Sequence, residues 1–339
     1  MELQPDERFD CLVQEKFLGV ARRSVEEIEA LHPHTRGRLG LVVGDITAPR
    51  LGLQAAEAKT LARRVTQTWH LAAVYDLAVA RRVGLRINVE GTRNVLELLA
   101  DAPDFEQLHY VSTAYVSGTA VGDFLETDLD VGQGFKNFYE ETKFLAEVEV
   151  IKSGLPAAVY RPGVVVGDSR TGETAKFDGP YFALRAMTRL PSPGVFMKVG
   201  SGHRTINLVP VDFVVEALAQ LARSEASVGQ TFHLTDPNPP TVFAVEELFA
   251  KALGKSFVFV PVPTALAKVF FTPGPMQRVF GMPVQTVDYF DHPVRYDCSL
   301  ATQALADSGV RCPRFQDYAQ RLVAFYREKR ATVRREAMI

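Results

Sequence analysis

Two apolar runs constrain the fold before anything else: LGLVVGDI at residues 39–46 and AAVYRPGVVVG at residues 157–167. A strand with one wet face alternates apolar and polar residues, because successive side chains point to opposite sides. A run without that alternation needs both faces covered, as in a parallel sheet held between helical layers. The neighbouring segments supply the layers. Residues 20–31 carry Val25, Ile28 and Leu31 at helical spacing, and residues 85–99 carry Ile87, Val95, Leu96 and Leu99. Residues 55–65 and 139–152 also read as helices, while FDCLVQ, TWHLAA and LHYVSTAYV read as strands. Strands alternating with helices predict βαβ units, hence an α/β fold with a doubly wound parallel sheet.

After Gly167 the alternation stops. RTINLVPVDFVVEALAQLAR holds a short strand and a helix that Asp212 is placed to cap, since a carboxylate accepts from the free amides of a first turn. From Thr235 onward Pro and Phe become frequent, which predicts a smaller irregular lobe. Residues 262–271 leave three roles open: an acyl tunnel, core packing or a dimer contact. The chain ends in a helix expected over residues 315–337, whose basic end reads as a solvated face. The expected division is a sheet domain over 1–170 and 204–235, interleaved with a second lobe over 171–203 and 236–330.

With 339 residues the chain can bury a large core. A net charge of -2 gives no reason to expect nucleic acid or an anionic membrane as partner. No run approaches the roughly eighteen apolar residues that a membrane span needs. The cysteines, Cys11, Cys298 and Cys312, are odd in number and scattered, against a disulfide framework or a zinc site and suited to a reducing cytoplasm. His32 and His34 read as loop histidines and His70 as a packed strand histidine, so no metal site is expected.

The chemistry concentrates in Tyr139-Glu-Glu-Thr-Lys143. Residues four apart on a helix share a face, so the phenol and the ammonium can point at one site. A cation beside a phenol favours the phenolate and makes Tyr usable as a proton donor or acceptor. The spacing alone is weak, since an exposed helix can carry Tyr and Lys by accident. The context strengthens it. Ser112 and Thr113 close the strand LHYVST, and ligands of parallel sheets bind at the carboxyl ends of strands. A hydroxyl there, with Tyr and Lys one turn apart, suits carbonyl reduction. The hydride must come from a cofactor, because no side chain can deliver one.

VVGDI, HLAA, NVEGTRNVLELL, VSTAYVSG, YEETK and RPGVVVGDSRTGE stand in an order and spacing that resemble the extended short-chain dehydrogenase/reductases. GDITAPRLGL, STAYVSG and GDSRTGETAKFDGPYF are most similar to the fatty acyl-CoA reductase and thioester reductase (male sterility NAD-binding) branch. The resemblance covers residues 9–234 well and the C-terminal lobe loosely. It implies a Rossmann-type fold in which Thr113, with Ser112 beside it, orients the carbonyl; Ala114 and Gly118 favour Thr113. It makes Tyr139 the proton donor and gives Lys143 the nicotinamide ribose. It puts Asp45 and Ile46 beside the adenine, Ala72 and Ala73 at a tight approach, and Pro162, Gly163, Val164 and Val165 beside the nicotinamide. Asn88 opens the Asn-Val-x-Gly-Thr string, with structural support as its other reading.

The departure from the family lies at the front. A first strand, a Gly-x-x-Gly-x-x-Gly loop and the helix that receives the pyrophosphate are absent, and FDCLVQ matches the second strand. The expectation is an N-terminally incomplete version of a larger protein, with residues 2–7 as the tail of the first helix. The branch uses NADPH, and Val13-Gln14-Glu15-Lys16 with Arg22 and Arg23 leans the same way, with NADH as the alternative. The leading expectation is reduction of an acyl-CoA or carrier-protein thioester to an aldehyde. The alternatives are a dehydrogenase or epimerase acting on a sterol, a ketone or a nucleotide sugar, and a non-catalytic scaffold on a decayed reductase fold. A homodimer is left open.

Overall fold

The computed structural model describes residues 7–274 and 283–330. The residue 2–7 helix tail, except Glu7, lies outside the described residues, as do residues 331–337 of the expected last helix. The first half runs β1 (Phe9–Val13), α1 (Leu18–Leu31), β2 (Leu39–Val43), α2 (Ala55–Ala62), β3 (Gln67–His70), α3 (Arg81–Gly84), α4 (Gly91–Ala100), β4 (Gln107–Val111), β5 (Gly122–Phe124), α5 (Phe138–Lys152) and β6 (Ala157–Pro162). There follow β7 (Val164–Val166), α6 (Tyr181–Arg189), β8 (Gly194–Val199), β9 (Leu208–Pro210), α7 (Val211–Leu221), β10 (Thr231–Leu234), α8 (Val242–Leu253), β11 (Phe257–Val262), α9 (Thr264–Phe271) and β12 (Val294–Tyr296). Two further helices, Ser299–Ala304 and Phe315–Lys329, complete the described chain.

The central sheet is parallel, in the order β10-β6-β4-β3, with His70 opposite Tyr110 and Tyr110 opposite Val159. Successive residues of β6 feed opposite cores. Val159 joins Leu96, Leu99, Ala146 and Val150 of α4 and α5, whereas Ala158 and Tyr160 join Phe213, Leu218 and Leu221 of α7. Both faces are thus covered, which is why β6 shows no polar alternation and why Gln107 and His109 of β4 are buried along with Leu108 and Tyr110. The fold is the Rossmann-type α/β arrangement expected.

β1 and β2 pair with each other in parallel but form a separate two-stranded sheet. Full burial of LGLVVGDI is not observed: β2 is half-buried and Val43 is exposed. Two features account for this. The pair is not hydrogen-bonded to β3, and α1 above it has no fully buried residue, so Ile28 and Leu31 of its apolar stripe face solvent. Among the described residues no strand lies between β1 and β3, and no glycine loop joins a strand to a helix there.

The expected helix over 85–99 is one rod of three parts: α3, a π-helical segment at Leu85–Glu90, and α4. Asn88 sits in the wide turn, where its carbonyl accepts from Val74 N (2.9 Å) and its amide donates to Val74 O (3.2 Å) and Thr142 Oγ1 (3.0 Å). Gly84 lets the rod approach α5 closely, because a Cβ there would lie 3.0 Å from Thr142 Oγ1. Asp212 is also placed differently from expectation. It lies inside the first turn of α7, and its carboxylate accepts from Ser169 N (2.8 Å) and Ser169 Oγ (2.6 Å), so it anchors the loop after β7.

The second lobe packs α6, α8 and the helix Phe315–Lys329 around Phe177, Tyr181, Phe196, Phe249 and Leu322. Residues 262–271 belong to its edge: Ala267 and Phe271 are buried against Val199 and Val287, while Leu266 and Val269 face outward. Cys11, Cys298 and Cys312 are free thiols. No described helix is long and apolar enough to cross a membrane.

Burial keeps four histidines neutral. It depresses His70, His233 and His292 to about 3 and His109 to about 4, with Lys143, Arg161 and Lys136 adding to the effect on the first three. In the unfolded chain the same side chains protonate near pH 6.5. The unfolded state therefore binds more protons below that pH, and stability present above it is lost as pH falls toward 4. Each histidine contributes up to about 1.4 kcal/mol per pH unit. The urea midpoint is expected to be clearly lower at pH 5 than at pH 7.5, which an equilibrium denaturation series measures.

Candidate active site

α5 begins where Asn137 accepts from Glu140 N (3.1 Å), and this cap sets the rotation of the helix that carries Tyr139 and Lys143. Both side chains reach the carboxyl end of β4. There they meet Ser112, Thr113 and the crossover Pro162–Val165 around a cavity of about 1240 Å³. Small-molecule sites are commonly about 300–1,000 Å³, so two reactants fit side by side. Gly163 permits the crossover, because a Cβ there would come within 2.7 Å of Asn207 O.

The cavity gathers Ala73, Ser112, Thr113, Tyr139, Lys143, Pro162, Gly163, Val164 and Val165 from the sequence-derived set. Asp45, Ile46, Ala72 and Asn88 stand outside its wall. Asp45 follows β2, accepting from Gln14 Nε2 (3.0 Å) and Thr47 N (2.8 Å), and these bonds with Arg86 outweigh burial and hold its pKa down. Ile46 O accepts from Asn94 Nδ2 (2.7 Å). Ala72 is exposed at the end of β3, and the Asn88 amide is fully engaged within the helix layer.

The two hydroxyls after β4 have different neighbours. Ser112 donates to the fully buried Glu147. Thr113 accepts from Tyr115 N (3.3 Å) and lines the same cavity as Tyr139, whose pKa it acts to lower. Tyr139 is pushed up to about 12 by burial, with Thr113 opposing and Glu140 and Asp178 adding to the rise. The lowering that the Tyr–Lys spacing alone predicts is absent, because Lys143 turns aside: its Nζ donates to Val111 O (2.8 Å) and Tyr110 OH (3.1 Å). Burial lowers Lys143 to about 8, with Glu147 pulling it back up. At neutral pH the site thus presents a neutral phenol, able to give a proton, beside a buried ammonium.

Glu147 and Arg161 border the site although neither carries a sequence-derived role: Arg161 opens the RPGVVVGDSRTGE string, and Glu147 stands in none of the quoted strings. Arg161 donates to Glu147 Oε1 through Nη2 (2.6 Å) and Nε (3.0 Å), and both side chains are buried. The available signal was position: Glu147 lies one turn beyond Lys143 on the same helical face. Arg161 continues to His233 Nε2 (3.2 Å), whose Nδ1 meets Asp297 O. Glu126 accepts from His233 N, Leu300 N and Ala301 N, closing a buried polar chain from Ser112 to the helix Ser299–Ala304. Tyr115 and Tyr289, packed edge to face at 4.8 Å, complete the cavity wall near Tyr139.

As to a nicotinamide cofactor, the donors and the small crossover residues at the cavity fit its reactive end. Among the described residues no glycine loop at a helix N-terminus is present to take a pyrophosphate.

A parallel sheet with this constellation at its carboxyl end defines an extended short-chain dehydrogenase/reductase. The chain belongs to the male sterility protein family, an NAD-binding family whose model matches residues 4–218. It is 29% identical over 240 residues to a linear gramicidin synthase of Brevibacillus parabrevis, covering 67% of this chain and 5% of that protein. It is 28% identical over 219 residues to fatty acyl-CoA reductase wat of Drosophila melanogaster, covering 57% and 42%. The chain thus spans less than half the length of these relatives. The terminal R domain of the myxalamid PKS-NRPS biosynthetic pathway superposes with a TM-score of 0.79 at 24% identity, over 95% of this chain and 85% of that one; this likeness is one of fold.

Removing one partner of a buried ion pair leaves an uncompensated charge, at a cost of about 3–5 kcal/mol. Glu147→Ala is expected to lower stability by about that amount, and Arg161→Met by a similar amount. Chemical denaturation of the two variants measures it, and a loss below about 1 kcal/mol in both would show that the pair does not hold this end of the sheet.

Proposed function

We propose that this chain is an NAD(P)H-dependent reductase of an acyl thioester, acyl-CoA or carrier-protein-bound, with an aldehyde as product. The observation that carries the reading is the convergence of Thr113, Tyr139 and Lys143 on one cavity large enough for two reactants. Family membership and the reductase relative support it. Residues 1–170 with 204–235 form the dinucleotide side and 171–203 with 236–330 the substrate side. NADPH is the proposed donor: Gln14, which carries no charge, directly follows β1, and Lys16, Arg22 and Arg23 come after it.

The cofactor, when bound, supplies the hydride. The chain's residues manage the oxygen and the proton. Thr113 and Tyr139 donate to the thioester carbonyl oxygen, and their hydrogen bonds strengthen as charge develops on it. Tyr139 then gives its proton to that oxygen, which a phenol held up to about 12 by burial retains until a stronger base appears beside it. The resulting hemithioacetal collapses: its C–S bond breaks, the hydroxyl proton passes to the departing sulfur, and the aldehyde and the thiol are released while Tyr139 recovers a proton from solvent. Lys143 holds a positive charge under the site and offers its ammonium to a ribose hydroxyl. Pro162 to Val165 form the wall against which the nicotinamide lies.

Tyr139→Phe and Lys143→Ala are each expected to reduce thioester-dependent NADPH oxidation by at least about a hundredfold. Unchanged turnover in both would remove the reading. A panel of acyl-CoAs, ketones and nucleotide sugars separates it from the dehydrogenase and epimerase alternatives, and NADPH titration separates it from the scaffold. The pH profile gives a second check. Lys143 is charged below about 8 and neutral above it, while Tyr139 stays protonated to about 12, so kcat/KM is expected to fall as pH rises through 8. Lys143→Arg, with a charge that persists, is expected to move that fall to higher pH.

A further inference from the structure

The cavity extends well past Tyr139. Its distant wall comes from α6 and α8 and mixes the apolar Phe182, Ala183, Val242 and Val245 with Arg185, Thr188 and Arg189. One carboxyl interrupts it. Glu246, on α8, is only 2% exposed and lines the cavity, yet its Oε2 has no hydrogen-bond partner among the described residues. No ion pair reaches it there either. Lys198, the nearest group to influence its charge, lies with its ammonium 4.1 Å from the Phe243 ring. Arg185, on α6, is the second buried charged side chain of this wall; it donates to Phe177 O (3.5 Å) and its guanidinium lies by the Phe182 ring.

A buried carboxyl without a partner is costly, and a fold keeps few of them. Burial pushes Glu246 up to about 8, with Lys198 opposing, so at neutral pH it stands as a neutral acid. A neutral acid offers one O–H donor and one C=O acceptor side by side. The group that satisfies both at once is an amide, which accepts through its carbonyl and donates through its N–H. A plain hydrocarbon satisfies neither. An ammonium would need the ionised acid, which burial disfavours.

We propose that Glu246 is a specificity-determining residue, recognising an amide carried on the acyl chain of the substrate. The assignment rests on the thioester reading above. It distinguishes chains that bear an amide beyond the thioester from simple fatty acyl chains, and it gives the buried, unpartnered carboxyl a ligand.

The test uses binding, so that it does not depend on turnover. Two pantetheine conjugates of equal length, with the thioester sulfur replaced by NH, carry either an alkanoyl chain or a chain with one internal amide. Calorimetry on the full chain is expected to show about fivefold to tenfold tighter binding of the amide-bearing chain, the value of one or two uncharged hydrogen bonds. Glu246→Leu is expected to erase that preference without weakening the alkanoyl analogue. Glu246→Gln, which keeps a donor and an acceptor, is expected to retain most of it and shows that an altered fold is not the cause. Equal binding of both analogues by the natural chain, or a preference that survives Glu246→Leu, would overturn this assignment alone. No binding of either analogue would overturn the thioester reading and the assignment with it.

Discussion

The buried pair between Glu147 and Arg161 is the interaction on which the rest of the site depends. Neither charge reaches water, and each is held only by the other and by neighbouring hydrogen bonds. Such pairs are weak evidence of stability, because desolvation opposes their attraction. Their effect here is positional. Glu147 comes from the helix that bears Tyr139 and Lys143, Arg161 from the strand before the Pro162–Val165 crossover, and Ser112 from the end of β4. One carboxylate therefore ties together the helix and the two strand ends that surround the catalytic cavity. Ser112, adjacent in sequence to Thr113, is used up by this tie, which leaves Thr113 as the hydroxyl that faces Tyr139.

Burial also sets the protonation states, and it does so in one direction at each group. It holds Tyr139 as a phenol, draws Lys143 down toward neutrality and keeps Glu246 as an acid. The three shifts have one cause, the exclusion of water from a cavity between a sheet and an apolar lobe. The charge of Lys143 survives at neutral pH because Glu147 compensates it. A site arranged in this way favours proton donation over proton abstraction, the sense that reduction requires.

Much of the fold was legible because its signals are local. Unalternating strands, helical stripes and the Tyr139–Lys143 spacing each reflect a periodicity that the chain displays over a few residues. The structure brings Thr113, Tyr139, Lys143 and Pro162–Val165 to one cavity, as strand-end and helix-face geometry require. Burial of β2 was not legible, since it depends on what lies beside the β1–β2 pair and above it. The tie of Asp212 to Ser169, the π-helical turn at Asn88 and the neutral acid at Glu246 were equally hidden. Each depends on a contact between segments far apart in sequence, and a stretch such as TVFAVEELFAKAL, with Glu246 and Glu247 side by side, does not reveal which carboxyl faces solvent and which a cavity.

The two ends of the cavity answer to different parts of the chain. Donors for a carbonyl come from strand and helix termini of the sheet, where the backbone is fixed on both faces by packed cores. The distant wall comes from α6 and α8, which share their core with the helix Phe315–Lys329 and touch the sheet through β7 and β9. A substitution in α8 can therefore alter what the wall accepts while the Thr113–Tyr139 geometry stays in place, because the polar chain from Ser112 through Glu147, Arg161 and His233 runs outside α6 and α8. Under the proposed function, separation of this kind would let one reductive site serve different acyl chains. It would also place the features that select a substrate beyond the sheet, where the quoted family strings have ended.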